Sequence, residues 1–267
     1  MAEESIDLKI FNSFLDKNKE VSRISTLNHM GGMTRNFDKI TKNFINFTVS
    51  NKQNSSFRTL EIGAAYGDVA LECLKKGVAN YLINDLDKRH LEIFKLRAKR
   101  ENIDHNAVEI ISGDFPDVIQ FFPFYDAILI SRVMHFFEPS KWKRSLNTLF
   151  YLLKPGGKIF ITVISPYVKP FVPFLKKYLE RRKEGEPFPG FIKDIFKELH
   201  IPRITELSED PNNHFPKLNL MCTTLLTSHF RKVGFEVLET CEFPFMYEST
   251  IWQLDGRESA GLIATKR

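Results

Sequence analysis

The chain has 267 residues, 43% of them apolar and 25 of them Phe, which is enough to build a large core and too much for a disordered chain. Lys and Arg number 38 against 33 Asp and Glu, a formal charge of +5; so mild an excess permits an acidic partner without demanding one, and a nucleic-acid binder shows more concentrated basic stripes. Cys73, Cys222 and Cys241 are odd in number and far apart, which argues against a disulfide framework and against zinc spacing, and fits a reducing, cytoplasmic compartment.

Met1-Ala2-Glu3-Glu4 is acidic and lacks the apolar stretch of a signal peptide. Residues up to about Ser56 read as helical with loops. Within them Asn28-His29-Met30-Gly31-Gly32-Met33 reads as a bend at its paired glycines, and Phe37, Ile40, Phe44 and Phe47 then fall on one helical face. A strand is expected at Thr59–Ile62, ending in Gly63, followed by a helix that carries Val69, Ala70, Leu71 and Leu74. Tyr81–Ile83 reads as the second strand, stopping at Asn84-Asp85. The helix near Lys88–Arg100 buries Leu91, Phe94 and Ala98 and is otherwise mostly Lys and Arg. Val108–Ile111 is the third strand, closed by Gly113-Asp114, and Asp126–Ile130 the fourth. The apolar run Val118–Phe137 is broken by Pro123, Asp126 and Arg132, so it is a poor membrane span. A helix from Ser140, its expected N-cap, ends at Lys154-Pro155-Gly156-Gly157, and Lys158–Ile164 is a β-branched fifth strand.

Strands alternating with helices imply a doubly wound α/β domain: a mostly parallel sheet, right-handed crossovers and helices on both faces. Ser165 to about Leu218, rich in Pro, Phe and Lys, breaks the rhythm and reads as an insertion over the sheet's C-terminal edge. A helix at Thr223–Val233, closed by Gly234, leads to two last strands, Phe235–Thr240 and Gly261–Thr265, with no long helix between them, which implies an antiparallel final pair. The expected organisation is an N-terminal helical extension or lid over 1–56 and a main domain over 57–267, carrying its insertion at about 165–218.

In such a sheet a ligand sits beyond the C-terminal strand ends. Gly63 and Gly67 in Leu60-Glu61-Ile62-Gly63-Ala64-Ala65-Tyr66-Gly67 allow a tight turn and close backbone approach to a ligand; taken alone they are also ordinary turn and packing glycines. Asp85, about twenty residues on, is placed to accept from both hydroxyls of a ribose, or to cap the next helix, a task Asp87 can perform instead. Asp114 and Phe115 after the third strand suit an exocyclic amine and an adenine face, or a solvent-facing turn.

Together, Glu61–Gly67, Asp85, Gly113-Asp114 and Leu153-Lys154-Pro155-Gly156-Gly157-Lys158 resemble the class I S-adenosylmethionine-dependent methyltransferase family, from about Arg58 to Ile164 and again from Thr223 to Thr265. The resemblance implies a seven-stranded Rossmann-like sheet with an antiparallel last strand. It implies S-adenosyl-L-methionine as cofactor and S-adenosyl-L-homocysteine as product. Glu61, Gly63, Ala65 and Gly67 would line the methionine end, Asp85 the ribose, Leu86 the adenine, Asp114 and Phe115 its amine and ring, and Ser131 and Arg132 the methionine part and the acceptor. The loop departs from the family at Ala64-Ala65, where a glycine-containing pair is more usual, so backbone approach at Ala65 is expected to be tight. The Lys-Pro-Gly-Gly turn is taken as structural, and no metal site is expected.

Methyl transfer from a sulfonium is an in-line displacement, so alignment and exclusion of water dominate, and a base is needed only for a protonated nucleophile. His135, just after the fourth strand, is the candidate base and equally a packing histidine. Ser131-Arg132-Val133-Met134 holds neither an Asn-Pro-Pro-Tyr run nor a Pro-Cys pair, which argues against exocyclic-amine nucleobase methylation and against covalent attack on a pyrimidine. Tyr167, Phe171, Phe174, Tyr178, Phe188, Phe191 and Phe196 in the insertion, with Phe243, Phe245, Tyr247 and Trp252 in the last connection, suit an aromatic-walled pocket for a small organic acceptor, although each ring by itself is ordinary core material. Two other readings compete. A nicotinamide-dependent dehydrogenase lacks its Gly-x-Gly-x-x-Gly spacing here. An RNA- or membrane-surface-binding protein would use the basic runs Lys88, Arg89, Lys95, Arg97, Lys99, Arg100 and Lys176, Lys177, Arg181, Arg182, Lys183, which solvated helix faces explain more simply; Phe171, Phe174 and Leu175 keep peripheral membrane contact open.

Overall fold

A computed structural model of the chain describes residues 24–28, 30–33, 36–119, 124–199, 217–245 and 251–267; His29, Tyr247 and the N-terminal residues 1–23 lie outside them. The first element is a small antiparallel hairpin, β1 (Ile24–Ser25) and β2 (Gly32–Met33), where the sequence predicts helix and a glycine bend. Gly32 pairs with Ser25, and the Gly31 carbonyl accepts from the Thr26 amide and hydroxyl, so local hydrogen bonds hold the segment extended. Helix α1 (Lys39–Ser50) follows, with the Asp38 carboxylate accepting from the Thr41 amide and hydroxyl as its N-cap.

The alternating core then runs β3 (Thr59–Ile62), α2 (Asp68–Lys75), β4 (Tyr81–Asp85), α3 (Lys88–Arg100), β5 (Val108–Ser112), β6 (Tyr125–Ser131), α4 (Pro139–Leu152) and β7 (Leu153–Ile164). The insertion supplies α5 (Val172–Lys183), β8 (Phe191–Ile192), α6 (Ile195–Leu199) and β9 (Leu218–Asn219), and α7 (Thr223–Val233), β10 (Glu236–Phe243) and β11 (Ser259–Thr265) complete the chain. Seven strands form one sheet in the order β10-β11-β7-β6-β3-β4-β5, with β11 antiparallel to both of its neighbours and the five strands from β7 to β5 mutually parallel.

Two local expectations differ. Helix α4 starts at Pro139, where a fixed φ and a missing N–H cost nothing, and Glu138 rather than Ser140 stands at its N-cap; the Ser140 hydroxyl donates to the Glu138 carboxylate. The Lys154–Gly157 turn is drawn into β7, and the ladder with β6 absorbs it as a register shift between Tyr125 and Ala127.

Side-chain alternation divides the sheet between two cores. Leu60, Ile62, Ile128, Ile130, Ile159 and Ile161 face α4 and α7 through Trp142, Leu146, Leu149 and Phe230. Tyr81, Ile83, Leu129 and Phe160 face α1, α2 and α3 through Ile40, Phe44, Leu71, Leu91 and Phe94. The Phe44 ring meets Tyr81 and Phe160 edge-on at 6.5 and 5.5 Å between centroids, so α1 is packed into the same core as the two crossover helices. The insertion has its own apolar cluster, built on Val168, Phe171, Phe174, Tyr178 and Leu220. Because Phe44 is fully buried between two rings, Phe44→Ala is expected to destabilise the chain by about 3–5 kcal/mol, read from denaturant unfolding of both proteins.

Candidate active site

The winding direction of the sheet reverses between β3 and β6, and in open α/β sheets the crevice that takes a ligand lies at such a point, outside the C-terminal strand ends. Two glycines shape the loop leaving β3. Gly63 has φ +70°, and a Cβ there would lie 2.2 Å from a Val133 methyl, on the segment leaving β6. Gly67 has φ +75°, and a Cβ there would meet the Phe94 ring of α3 at 2.2 Å. Both positions therefore need glycine for conformation and for space. Between them Ala65 is left-handed at φ 45°, a conformation that costs a residue with a Cβ roughly 1–2 kcal/mol. The Ala64-Ala65 pair thus carries local backbone strain, and one specific bond holds it: the Ala65 amide donates to Asp85 Oδ2 at 2.8 Å.

Asp85 ends β4 and is the hub of the site. Its Oδ1 accepts from the Asp87 amide at 2.9 Å and lies 2.9 Å from His90 Nδ1. Asp87 caps α3 by accepting from the Arg89 amide, so the cap and the hub are separate carboxylates. Leu86, next to Asp85, is 54% exposed, an apolar side chain left open at the strand end.

The hairpin lies over this loop. The Tyr66 amide donates to Met33 Sδ at 3.1 Å, and the Tyr66 hydroxyl donates to the Ser25 carbonyl at 3.0 Å. From the other side, Arg97 of α3 donates to the Tyr66 carbonyl at 2.6 Å and pairs with Asp68. Arg97, in a basic run that the sequence assigns to a solvated helix face, therefore braces the loop. Its pairing with Asp68, 29 residues away in sequence, is what sequence spacing could not display.

Glu61 lies beneath the loop with its carboxyl group committed to the interior, accepting from the Tyr81 hydroxyl at 2.7 Å. Burial pushes its pKa up to about 8, against the lowering effect of the Tyr81 bond. Asp114, at the end of β5, is exposed, and both of its oxygens accept from Lys141 Nζ, at 2.5 and 2.7 Å. Phe115 is only 3% exposed and belongs to the core with Leu82 and Ile119.

Across the crevice, the Ser131 hydroxyl bonds with the Thr162 hydroxyl at 2.9 Å. Arg132 is left-handed at φ 57°, donates to Ser259 Oγ at 3.1 Å and lies over the Phe245 ring at 4.9 Å. His135 sits in a single 3-10 turn, Met134–Phe136, and is 2% exposed. Burial, then the nearby Arg132 charge, pushes its pKa down to about 3, and its Nδ1 has no hydrogen-bond partner.

The structure brings Gly63, Ala65, Gly67, Asp85 and Leu86 together and sets Ser131 and Arg132 on the facing rim. Asp114 stands at the end of the second strand beyond β3, held by Lys141. The expected aromatic wall is mostly interior: Phe171, Phe174, Tyr178, Phe188, Phe243 and Phe245 are buried, whereas Tyr167, Phe191, Phe196 and Trp252 are partly accessible. The insertion has to bury its own rings to pack at all. Its basic run is also largely engaged: Lys177 pairs with Glu198, Arg181 donates to the Phe191 carbonyl, and Arg182 donates to Thr224. Among the described residues no helix is long and apolar enough to cross a membrane.

Residues 59–157 match the family model described as a methyltransferase domain. Solved structures share the fold. A S-adenosylmethionine-dependent methyltransferase from Methanosarcina mazei superposes with a TM-score of 0.57 at 15% identity, covering 82% of this chain and 96% of its own. Magnesium protoporphyrin IX methyltransferase from Synechocystis, with bound S-adenosylhomocysteine, gives 0.54 at 11% identity over 90% and 84%. The 1,6-didemethyltoxoflavin-N1-methyltransferase of Burkholderia thailandensis gives 0.54 at 13% identity over 85% and 78%. Comparison with curated protein sequences finds no match. The strand order and the closing antiparallel strand are those of the Rossmann-like methyltransferase fold, and residues 59–157 within it match a methyltransferase domain.

Glu61 gives the site a pH signature. Its folded pKa, about 8, lies above the ordinary 4.5, so between those values the folded chain holds a proton that the unfolded chain has released. Stability from this group is full below about pH 4.5 and is lost as pH rises through 8. Relative to Glu61→Gln, the wild type is expected to lose at least about 1.4 kcal/mol between pH 5 and 8, the worth of one pKa unit, measured by urea unfolding of both proteins across that range.

Proposed function

We propose that the crevice between β3 and β6 binds S-adenosyl-L-methionine through Gly63, Ala65, Gly67, Asp85 and Leu86, and that the chain methylates oxygen or nitrogen of a small organic acceptor. The observation that carries this reading is Asp85. Its Oδ2 accepts a single N–H, from Ala65, and a carboxylate oxygen has two lone pairs, so acceptor capacity remains for a ribose hydroxyl at the end of β4. The exposed Leu86 offers an apolar surface beside it for a nucleobase. Ser131 and Arg132 are assigned to the methionine end and the acceptor.

Asp114 and Phe115 are assigned to the adenine with a condition attached. Asp114 must share its carboxylate with Lys141, and Phe115, being core, contributes by supporting the strand end. Glu61, neutral over most of the physiological range and bonded to Tyr81, supports the loop from below.

The cofactor, when bound, supplies a methyl group already activated by sulfonium charge. The chain's contribution is alignment and exclusion of water. The Gly63–Gly67 loop and Asp85 fix the donor side, and the segment after β6 presents the acceptor side. His135 is assigned as the group that takes the acceptor's proton. It is unprotonated throughout the physiological range, and a pKa near 3 makes it a weak base, suited to an acceptor that is acidic or only partly protonated; its ring is buried with Nδ1 unpartnered, so the acceptor has to displace the packing around the Met134–Phe136 turn to reach it. The small-molecule acceptor draws support from the Burkholderia neighbour, which is described with 1,6-didemethyltoxoflavin bound. Within the N-terminal extension 1–56 the hairpin is read as the lid, supported by the hydrogen bonds that Tyr66 donates to Met33 Sδ and the Ser25 carbonyl, while α1 belongs to the core; 165–218 is read as the acceptor-side insertion.

Calorimetry tests the cofactor site. S-Adenosylhomocysteine should bind the wild type and NAD should not, and Asp85→Ala should weaken S-adenosylhomocysteine by at least about tenfold, the worth of one charged hydrogen bond. Binding of NAD alone would reverse the assignment. Screening with methyl-labelled cofactor identifies the acceptor. With that acceptor, His135→Gln is expected to lower kcat by about tenfold or more while leaving the S-adenosylhomocysteine Kd in place; an unchanged kcat would remove the base role.

A further inference from the structure

His90 has no role in the reading above, yet it is 1% exposed and touches both the cofactor hub and the N-terminal hairpin. It lies in the first turn of α3. The Leu27 amide donates to His90 Nε2 at 3.1 Å, which fixes Nε2 as the acceptor and puts the ring proton on Nδ1. Nδ1–H then donates to Asp85 Oδ1 at 2.9 Å. The Tyr66 ring, itself tied to Ser25 through its hydroxyl, packs edge-on against the imidazole at 5.0 Å and 80°. With its proton position set by a backbone donor and its ring held by an aromatic edge, His90 has one orientation available.

We propose that His90 is a positioning residue for cofactor binding: its Nδ1–H fixes the rotamer of Asp85, and its Nε2 couples that carboxylate to the hairpin through the Leu27 amide. The physical reasoning is direct. Asp85 Oδ1 accepts from two donors, the Asp87 amide and His90, and this pins the carboxylate plane so that the remaining capacity lies on Oδ2, beside the Ala65 amide. Without His90, each carboxylate oxygen keeps one backbone donor, from Asp87 on Oδ1 and Ala65 on Oδ2, and the plane is held less tightly. The hairpin and the carboxylate share one ring, so ordering either favours the ordered state of the other. This inference rests on the assignment of Asp85 to the ribose.

Two substitutions separate the two bonds. His90→Asn places a side-chain amide near the Nδ1 position, retaining the donor to Asp85 and losing the acceptor for Leu27. His90→Gln reaches the Nε2 position, retaining the acceptor and losing the donor. Calorimetry is expected to show S-adenosylhomocysteine weakened about tenfold in His90→Gln and bound nearly as in the wild type by His90→Asn. Amide hydrogen exchange is expected to show S-adenosylhomocysteine slowing exchange around Leu27 in the wild type, with that slowing lost in His90→Asn. In the wild type the His90 Nδ1–H resonance should shift on titration with S-adenosylhomocysteine, a readout that needs no variant to fold. Wild-type affinity in His90→Gln, full slowing in His90→Asn, or an unmoved resonance would each overturn the proposal. Asp85→Ala separates the layers: if it binds S-adenosylhomocysteine normally, the ribose assignment itself fails; if it weakens binding and His90→Gln does not, only the role of His90 fails.

Discussion

The site depends on the carboxylate of Asp85 at the end of β4. It joins three segments that sequence keeps apart: the Gly63–Gly67 loop through the Ala65 amide, the start of α3 through the Asp87 amide, and the N-terminal hairpin through His90 and Leu27. Each partner is a fixed donor, so the carboxylate's acceptor directions are assigned before any ligand arrives. That arrangement reduces the reorganisation a ligand's hydroxyl would otherwise require. It also offsets the left-handed conformation of Ala65, whose amide is turned toward Oδ2 by that backbone geometry.

Around this hub the chain separates charge that is kept from charge that is suppressed. Glu61 and His135 are both buried, and burial removes the charged form of each: the carboxyl is protonated up to about pH 8 and the imidazole unprotonated down to about pH 3. At neutral pH, therefore, two ionisable residues flanking the crevice carry no net charge for most of the population. The cations nearby are engaged, Arg97 with Asp68 and the Tyr66 carbonyl, Lys141 with Asp114.

The closing strands serve the same edge of the sheet. β11 runs antiparallel beside β7, so Ser259 at its start lies level with Ile164 and within reach of Arg132, which donates to its hydroxyl. The register of a strand near the C-terminus thus helps place a residue that follows β6. The insertion packs most of its rings into a cluster of its own and leaves Tyr167, Phe191, Phe196 and Trp252 partly accessible.

The sequence by itself determined the alternation of strands and helices, the seven-stranded α/β class, the two glycine positions of the loop and a cap for α3 at Asp85 or Asp87. These follow from periodicity, from the backbone freedom of glycine and from local side-chain bonds, all of which act over a few residues. Tertiary structure decided the hairpin where a helix was expected, the bracing of the loop by Arg97, the capture of Asp114 by Lys141, the inward turn of Glu61 and the placement of His90. The hairpin's own ladder is local, but its docking on Tyr66 and each of the others is a contact between residues at least 20 positions apart, or a burial that depends on which face of the sheet a side chain meets. Sequence spacing carries no record of that distance, because the energy of such a pair exists only once the sheet has brought both partners to the same edge.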